Sequence, residues 1–309
     1  FCGEGKRRLY LYPDTEQYHC FHCGAHGNAV SLYARRTGLS YANAYHELEA
    51  DRMLHFPLPN VPKTPEREPA SIEKRDAVYR AMLQLLPLSA EHHQNLLHRG
   101  LSEQKIRGNS YRTLADGKEL RDSIAAQLSA RFDLNGIPGF YFRDGTWRLC
   151  AYSGLLIPVR DADGRMQGIQ IRRDSAERMK YVWLSGAGRP CGTPARSWVH
   201  VTGNRAKATA VITEGPLKGD AASALSGDTL FLCVPGVSAI KYLPETLKNL
   251  HLTAVYEAFD MDKLRNPQVV AARKRLRQMI ADCGLPCRTL LWNETCNGID
   301  DYLAAQKIC

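Results

Sequence analysis

Between residues 208 and 262 the apolar positions come in short unbroken runs separated by helical patterns. Ala210-Val-Ile-Thr213 stops at Glu214-Gly215-Pro216, and Thr253-Ala-Val-Tyr-Glu-Ala-Phe259 stops at Asp260-Met261-Asp262. A helix is predicted from Lys218 to Leu225 and a further strand from Thr229 to Val234. Beyond them lie an amphipathic basic helix over 267–283, a fourth strand over 287–292, and a closing Asn297-Gly-Ile-Asp300-Asp301. Short apolar runs that alternate with helices read as buried parallel strands of an α/β sheet. Ligands of such sheets bind outside the carboxyl ends of the strands. Glu214, Asp260 and Asp262 are therefore expected on one rim. Two carboxylates ~4 Å apart repel by ~4 kcal/mol at an effective dielectric near 20. A hard cation relieves that repulsion, and an all-oxygen site suits Mg²⁺ or Mn²⁺ acting at phosphate.

The same patterning divides the rest of the chain. Residues 1–55 offer a strand over 8–12, a Pro13-Asp14 turn, a second strand from Gln17, and helices beginning near Asn28 and Tyr41. Leu32, Leu39, Ala44 and Leu48 fall on the inner helical face. Five prolines between 56 and 69 mark a linker over 56–72. Residues 73–150 are mainly helical, with Val78, Met82, Leu85 and Leu86 at helical spacing. Arg99-Gly100 ends a helix there and Ser102 caps the next. His92 and His93 are expected on the surface. Residues 151–207 hold a hairpin, with strands over 155–160 and 166–172 about an Asp-Ala-Asp-Gly turn. Residues 208–309 complete an α/β, multidomain architecture.

Charge changes this picture in one place. The net charge is +9, and residues 151–207 carry ten Lys and Arg against four Asp and Glu, two thirds of the excess. A polyanion gripped there lies beside the acidic rim. Arg172, Arg173 and Lys180 end the hairpin and suit phosphate contact. Tyr181 and Trp183 serve either as stacking platforms or as core. No apolar run nears the ~18 residues of a membrane span, so no membrane partner and a cytoplasmic location are expected. No Gly-x4-Gly-Lys-Ser/Thr loop occurs, which argues against a fused ATP-driven helicase.

Ten cysteines without a secretory pattern read as metal ligands and buried thiols. Cys2, followed by Cys20-Phe-His-Cys23, fits half of a zinc ribbon. A knuckle this small lacks a core without metal. The fourth ligand is expected upstream of Phe1, in a Cys-Pro-Phe-Cys run, with His22 and His26 as alternatives. Cys283, Cys287, Cys296 and Cys309 match no ribbon spacing and are expected to be structural.

Three stretches carry a resemblance. Tyr18-His-Cys-Phe-His-Cys-Gly-Ala-His-Gly-Asn-Ala-Val30 is similar to the zinc-ribbon motif of bacterial-type DNA primases. The hairpin over 154–172, with Lys180-Tyr-Val-Trp-Leu-Ser185, resembles their nucleic-acid-gripping subdomain. Glu214-Gly215 with Asp260-Met-Asp262 resembles the Toprim signature that primases share with topoisomerases and some nucleases. The motifs stand in the family's order and cover somewhat over half of the chain. Replicative primases carry an acid four residues after the Toprim Glu, where this chain has Lys218. They also carry two acids around a Pro in the last motif, where Asp300 matches one, Gly298 stands at the other and Asp301 is a substitute. The closing residues look more like primase-like proteins of plasmids, phages and integrative elements.

The resemblance implies a Rossmann-like Toprim domain that makes short RNA primers on single-stranded DNA from nucleoside triphosphates. Glu214, Asp260 and Asp262 would hold Mg²⁺ or Mn²⁺, with Asp300 as a further ligand and Glu214 as ligand or general base. Arg172, Arg173, Lys180 and Lys218 would meet template or nucleotide phosphates, and Arg7, Arg8, Tyr10 and Tyr18 would bring the ribbon to the template. Cys2, Cys20 and Cys23 would hold structural Zn²⁺, and a replicative helicase is the implied protein partner. A Toprim nuclease and a single-stranded-DNA-binding accessory factor with a decayed site are the alternatives.

Overall fold

A computed structural model describes residues 9–12, 17–20, 22–51, 67–175, 179–261, 267–293 and 295–306. The chain forms two compact units, Phe1–Thr64 and Pro65–Cys309. In the first, β1 (Leu9–Tyr12), β2 (Gln17–Cys20) and β3 (His26–Asn28) form an antiparallel sheet in that order. Two helices follow, α1 (Ala29–Thr37) and α2 (Tyr41–Asp51). Asn28 caps α1 by accepting from the Ser31 amide at 2.9 Å, and Gly38 closes it in the left-handed region at φ 75°. Tyr18, Cys20 and Ala25 are the buried cluster here, with Leu9 and Leu32 against it.

The second unit begins with helices α3 (Ile72–Gln84), α4 (Ala90–His98) and α5 (Glu103–Asn109), each capped by a serine. The stretch read as mainly helical then yields a short strand, β4 (Arg112–Leu114), before α6 (Lys118–Ser129). Three residues carry no periodicity to read; β4 exists because it pairs with β7. A hairpin of β5 (Phe140–Arg143) and β6 (Thr146–Leu149) follows. Next, β7 (Gly154–Arg160), β8 (Met166–Arg173) and β9 (Tyr181–Trp183) complete a sheet of order β4-β7-β8-β9. Both faces of β7 are covered. Leu156 packs on α3 and α6, while Leu155 and Ile157 pack with Leu96, Ile106 and Tyr111.

The last sheet contains β10 (His200–Gly203), β11 (Thr209–Glu214), β12 (Leu230–Val234), β13 (Ala254–Glu257) and β14 (Cys287–Thr289). Their order is β10-β12-β11-β13-β14, parallel except for β10, which runs antiparallel on β12. The edge strand β10 was not legible, because four residues pair with a strand some thirty residues away. The strand expected over 287–292 extends only to Thr289. Side chains alternate between two apolar layers. Ala210, Ile212, Leu230, Leu232 and Val255 pack under α8 (Leu243–Lys248) and α9 (Pro267–Asp282). Val211, Phe231 and Cys233 pack against Ala222 of α7 (Pro216–Ser226) and Ile299 of α10 (Ile299–Gln306). A sheet covered on both faces needs apolar residues at successive positions, which is why these strands read as continuous runs.

His92 corrects a surface expectation. It is 5% exposed, and its ring lies 2.8 Å from the Thr113 hydroxyl and 2.9 Å from Asp174. A buried imidazole needs such partners for its polar atoms. Helical spacing around His92 could not supply them, since Thr113 and Asp174 come from β4 and the end of β8.

Candidate active site and nucleic-acid interface

Parallel pairing of β11 with β13 sets Ile212 beside Glu257, so the two strands end side by side. Glu214 is the last residue of β11, and its Oε1 accepts from the Val237 amide at 3.0 Å, in the loop that follows β12. Gly215 turns the chain at φ 78°, a conformation that costs glycine no clash, and Pro216 opens α7. Leu217 anchors that first turn in the apolar cluster of α4, α5 and β7. The next residue, Lys218, reaches Asp260 and donates to its Oδ1. Asp260 stands three residues beyond β13 and is 6% exposed.

A third segment closes on this rim. The Met261 amide donates to the Asn297 carbonyl at 3.0 Å, which places Asp260 beside the start of α10. Asp300 is 8% exposed, its Oδ1 has no hydrogen-bond partner, and its Oδ2 lies 3.8 Å from Arg99 Nη1. Burial pushes the Asp300 carboxyl above the usual aspartate value; Lys218 and Arg99 pull against that and Asp301 adds to it. Asp262 lies outside the described residues.

Carboxylates at neighbouring strand ends, with one buried oxygen orphaned, suit a hard divalent ion. Among the described residues, no three His, Cys, Asp or Glu side chains stand close enough to hold a metal by themselves. Lys218 supplies positive charge at Asp260. In the first unit, the turn of the Cys20–Cys23 pair closes through the Gly24 amide to the Cys20 carbonyl at 2.9 Å. Cys20 is buried and Cys23 is exposed, and two sulfurs at this spacing fit zinc. Cys2 lies outside the described residues.

The cationic residues gather at the far end of β8. Arg172 faces Tyr181 across β8 and β9, and the Arg173 amide donates to the Lys180 carbonyl at 2.9 Å. A cleft of about 520 Å³ is lined there by His92, His98, Arg172, Arg173 and Lys180, with the acids Glu91 and Asp174 among them. The Arg173 guanidinium lies 4.5 Å over the Tyr152 ring, which holds its charge at the cleft by cation–π attraction. Arg172 Nε is buried without a hydrogen-bond partner. Trp183 meets Trp198 edge-on at 5.9 Å, while Tyr181 is exposed.

Consecutive residues connect cleft and rim. His98 lines the cleft and Arg99 approaches Asp300. Arg99 had been legible only as part of a helix stop, and nothing local distinguishes it. Lys218, expected at phosphates, pairs with Asp260 and does not line the cleft. Tyr18, expected at the template, is 3% exposed and supports the knuckle from within. Tyr10 is exposed, and Arg7 and Arg8 lie outside the described residues.

A family model described as a domain of unknown function (DUF3854) matches residues 198–308. The DNA primase of Haemophilus influenzae is 32% identical over 96 residues, covering 29% of this chain and 16% of that protein. The zinc-binding and RNA polymerase domains of the Aquifex aeolicus primase superpose with a TM-score of 0.58 at 16% identity. That match covers 99% of this chain and 74% of the other. The fold is that of a bacterial DNA primase. A DnaG primase catalytic domain bound to single-stranded DNA matches with a TM-score of 0.54 at 15% identity, over 77% of this chain and 79% of that one. The primase fold thus extends over both units, while the stretch aligned with the Haemophilus protein covers about a sixth of that protein's length. The family match begins at Trp198, and so takes in β10 with the sheet that follows.

Proposed function

We propose that the chain synthesises short RNA primers on single-stranded DNA. The observation that carries this reading is that α4 ends in His98, which lines the basic cleft, followed by Arg99, which lies 3.8 Å from Asp300 of the acidic rim. Arg172, Arg173 and Lys180 hold template or nucleotide phosphates through charge-assisted bonds, and exposed Tyr181 offers a face to a base. Glu214 and Asp260, with Asp262, are the residues that would hold Mg²⁺ or Mn²⁺. When bound, that ion supplies neutralisation of the triphosphate and a lowered pKa for the attacking 3′-hydroxyl. Glu214, at the end of β11, would orient that hydroxyl or accept its proton. The hydroxyl oxygen displaces pyrophosphate from the α-phosphorus, extending the chain by one nucleotide. Cys20 and Cys23, with Cys2, would hold a structural zinc that keeps the knuckle folded for template contact.

The test is a single-stranded template with all four nucleoside triphosphates and Mg²⁺ or Mn²⁺, products resolved by size. Short RNA is expected from the wild type and none from Asp260→Ala. Synthesis by Asp260→Ala at the wild-type rate rejects the assignment. Cutting of labelled DNA without nucleotides would mark a nuclease. Lys218 at Asp260 also favours a second reading, a factor that binds DNA without turnover, and DNA binding with no product under any metal would mark it.

A further inference from the structure

Lys218 answers two acids of the rim. Its ammonium donates to Asp260, and its charge also acts on Asp300. The space between is kept open by Gly298. A Cβ on that residue would fall 3.1 Å from Lys218 Nζ and 2.5 Å from Asp300 Oδ1. Any side chain there would displace the ammonium or the carboxylate, so residue 298 and residue 218 are matched to each other. Asp300 is more than nine-tenths buried, and its Oδ1 lacks a partner while facing this same point. The Met261–Asn297 backbone bond holds the two loops in register around it.

Phosphoryl-transfer sites with two metal ions place them ~3.5–4 Å apart, bridged by several carboxylates. Here a permanent cation is bonded to one of the carboxylates, and like charge excludes a second divalent ion from its side. Lysine also brings three donors and no acceptor, so the same ammonium can hold Asp260 and still reach an anionic oxygen.

We propose that Lys218 is a tethered cation standing in for one of two metal ions, so that this site takes a single divalent ion and meets a substrate phosphate with the ammonium. The proposal rests on the phosphoryl-transfer reading above and deepens it.

Mn²⁺ binding to the zinc-replete full chain, followed by electron paramagnetic resonance, tests it apart from catalysis. The wild type is expected to bind one Mn²⁺ with an uncoupled spectrum, and Asp260→Ala to lose it. Lys218→Asp is expected to bind two, with the spin-exchange signature of a close pair, and Lys218→Ala to bind Mn²⁺ at least tenfold more tightly than the wild type. Thermal melts establish that each variant is folded, and Lys218→Ala serves if Lys218→Asp is not. A coupled pair in the wild type, no Mn²⁺ bound at millimolar concentration, or unchanged affinity in Lys218→Ala overturns the proposal. Primer synthesis measured on the same samples separates the two ideas. Primers with two bound ions refute the tethered cation alone, whereas one bound ion without primers refutes the polymerase alone.

Discussion

The Tyr111 hydroxyl donates to Asp220 Oδ2 at 2.5 Å, joining residues 109 apart at the junction between the helical part and α7. The other oxygen, Oδ1, accepts from Thr202 at 2.7 Å and from His200 Nε2 at 3.1 Å. The Arg160 amide donates to His200 Nδ1 at 2.9 Å, so the proton of that ring sits on Nε2 and points at Asp220. Because Asp220 is two residues from Lys218 on α7, this knot also fixes the helix that carries the tethered ammonium.

Tyr111→Phe removes one donor to a buried carboxylate and is expected to destabilise the larger unit by about 2 kcal/mol. Urea denaturation followed by tryptophan fluorescence reads it. An unchanged midpoint would mean the bond contributes nothing to stability.

Acid should unfold this unit through two buried carboxylates. Burial alone would raise Asp220, yet the His200, Tyr111 and Thr202 donors outweigh it and hold the carboxyl below its ordinary 3.8. Burial likewise opposes, and Arg273, Arg277 and Thr289 override, a shift that leaves Glu257 below 4.5. A depressed folded value means the unfolded chain binds protons first. The stabilisation is complete at neutral pH, begins to fade near those ordinary values and is lost as pH falls through the lower folded ones. Melting temperature should drop below about pH 4.5 less steeply in Glu257→Gln than in the wild type; parallel curves would contradict this.

Arg173→Ala should weaken binding to single-stranded oligonucleotides of any sequence. One lost phosphate contact lowers the slope of log affinity against log salt by about 0.7. Fluorescence anisotropy between low and moderate salt measures it. A slope identical to the wild type would remove Arg173 from the interface.

Chelation of zinc should unfold the first unit and leave the melting of the second in place. The described buried apolar residues of the small unit are Tyr18, Cys20, Ala25 and Ala44, too little apolar surface to fold unaided. Limited proteolysis is expected to cut within Phe1–Thr64 after chelation and spare Pro65–Cys309. Equal resistance with and without chelator would exclude a zinc-dependent knuckle.

Much of the architecture was legible in the sequence. Continuous apolar runs announced β11, β12 and β13, because strands covered on both faces have no polar positions to spare. The Asp-Ala-Asp-Gly turn announced the β7–β8 hairpin, and Asn28 announced the start of α1. Short elements such as β4 and β10 were not legible, since pairing partners rather than propensity create them.

Local order alone determined that Glu214 ends its strand and Asp260 follows one, that Cys20 and Cys23 share a turn, and that Arg172 and Arg173 close a basic hairpin. Tertiary packing decided what those groups meet: Lys218 on Asp260, Arg99 near Asp300, Gly298 clearing the space between, and Tyr111 on Asp220. The reason is range. Periodicity and capping are written by neighbours within a turn or two, whereas the charge balance of this site is struck between residues 42 to 201 positions apart, which only the folded chain brings together.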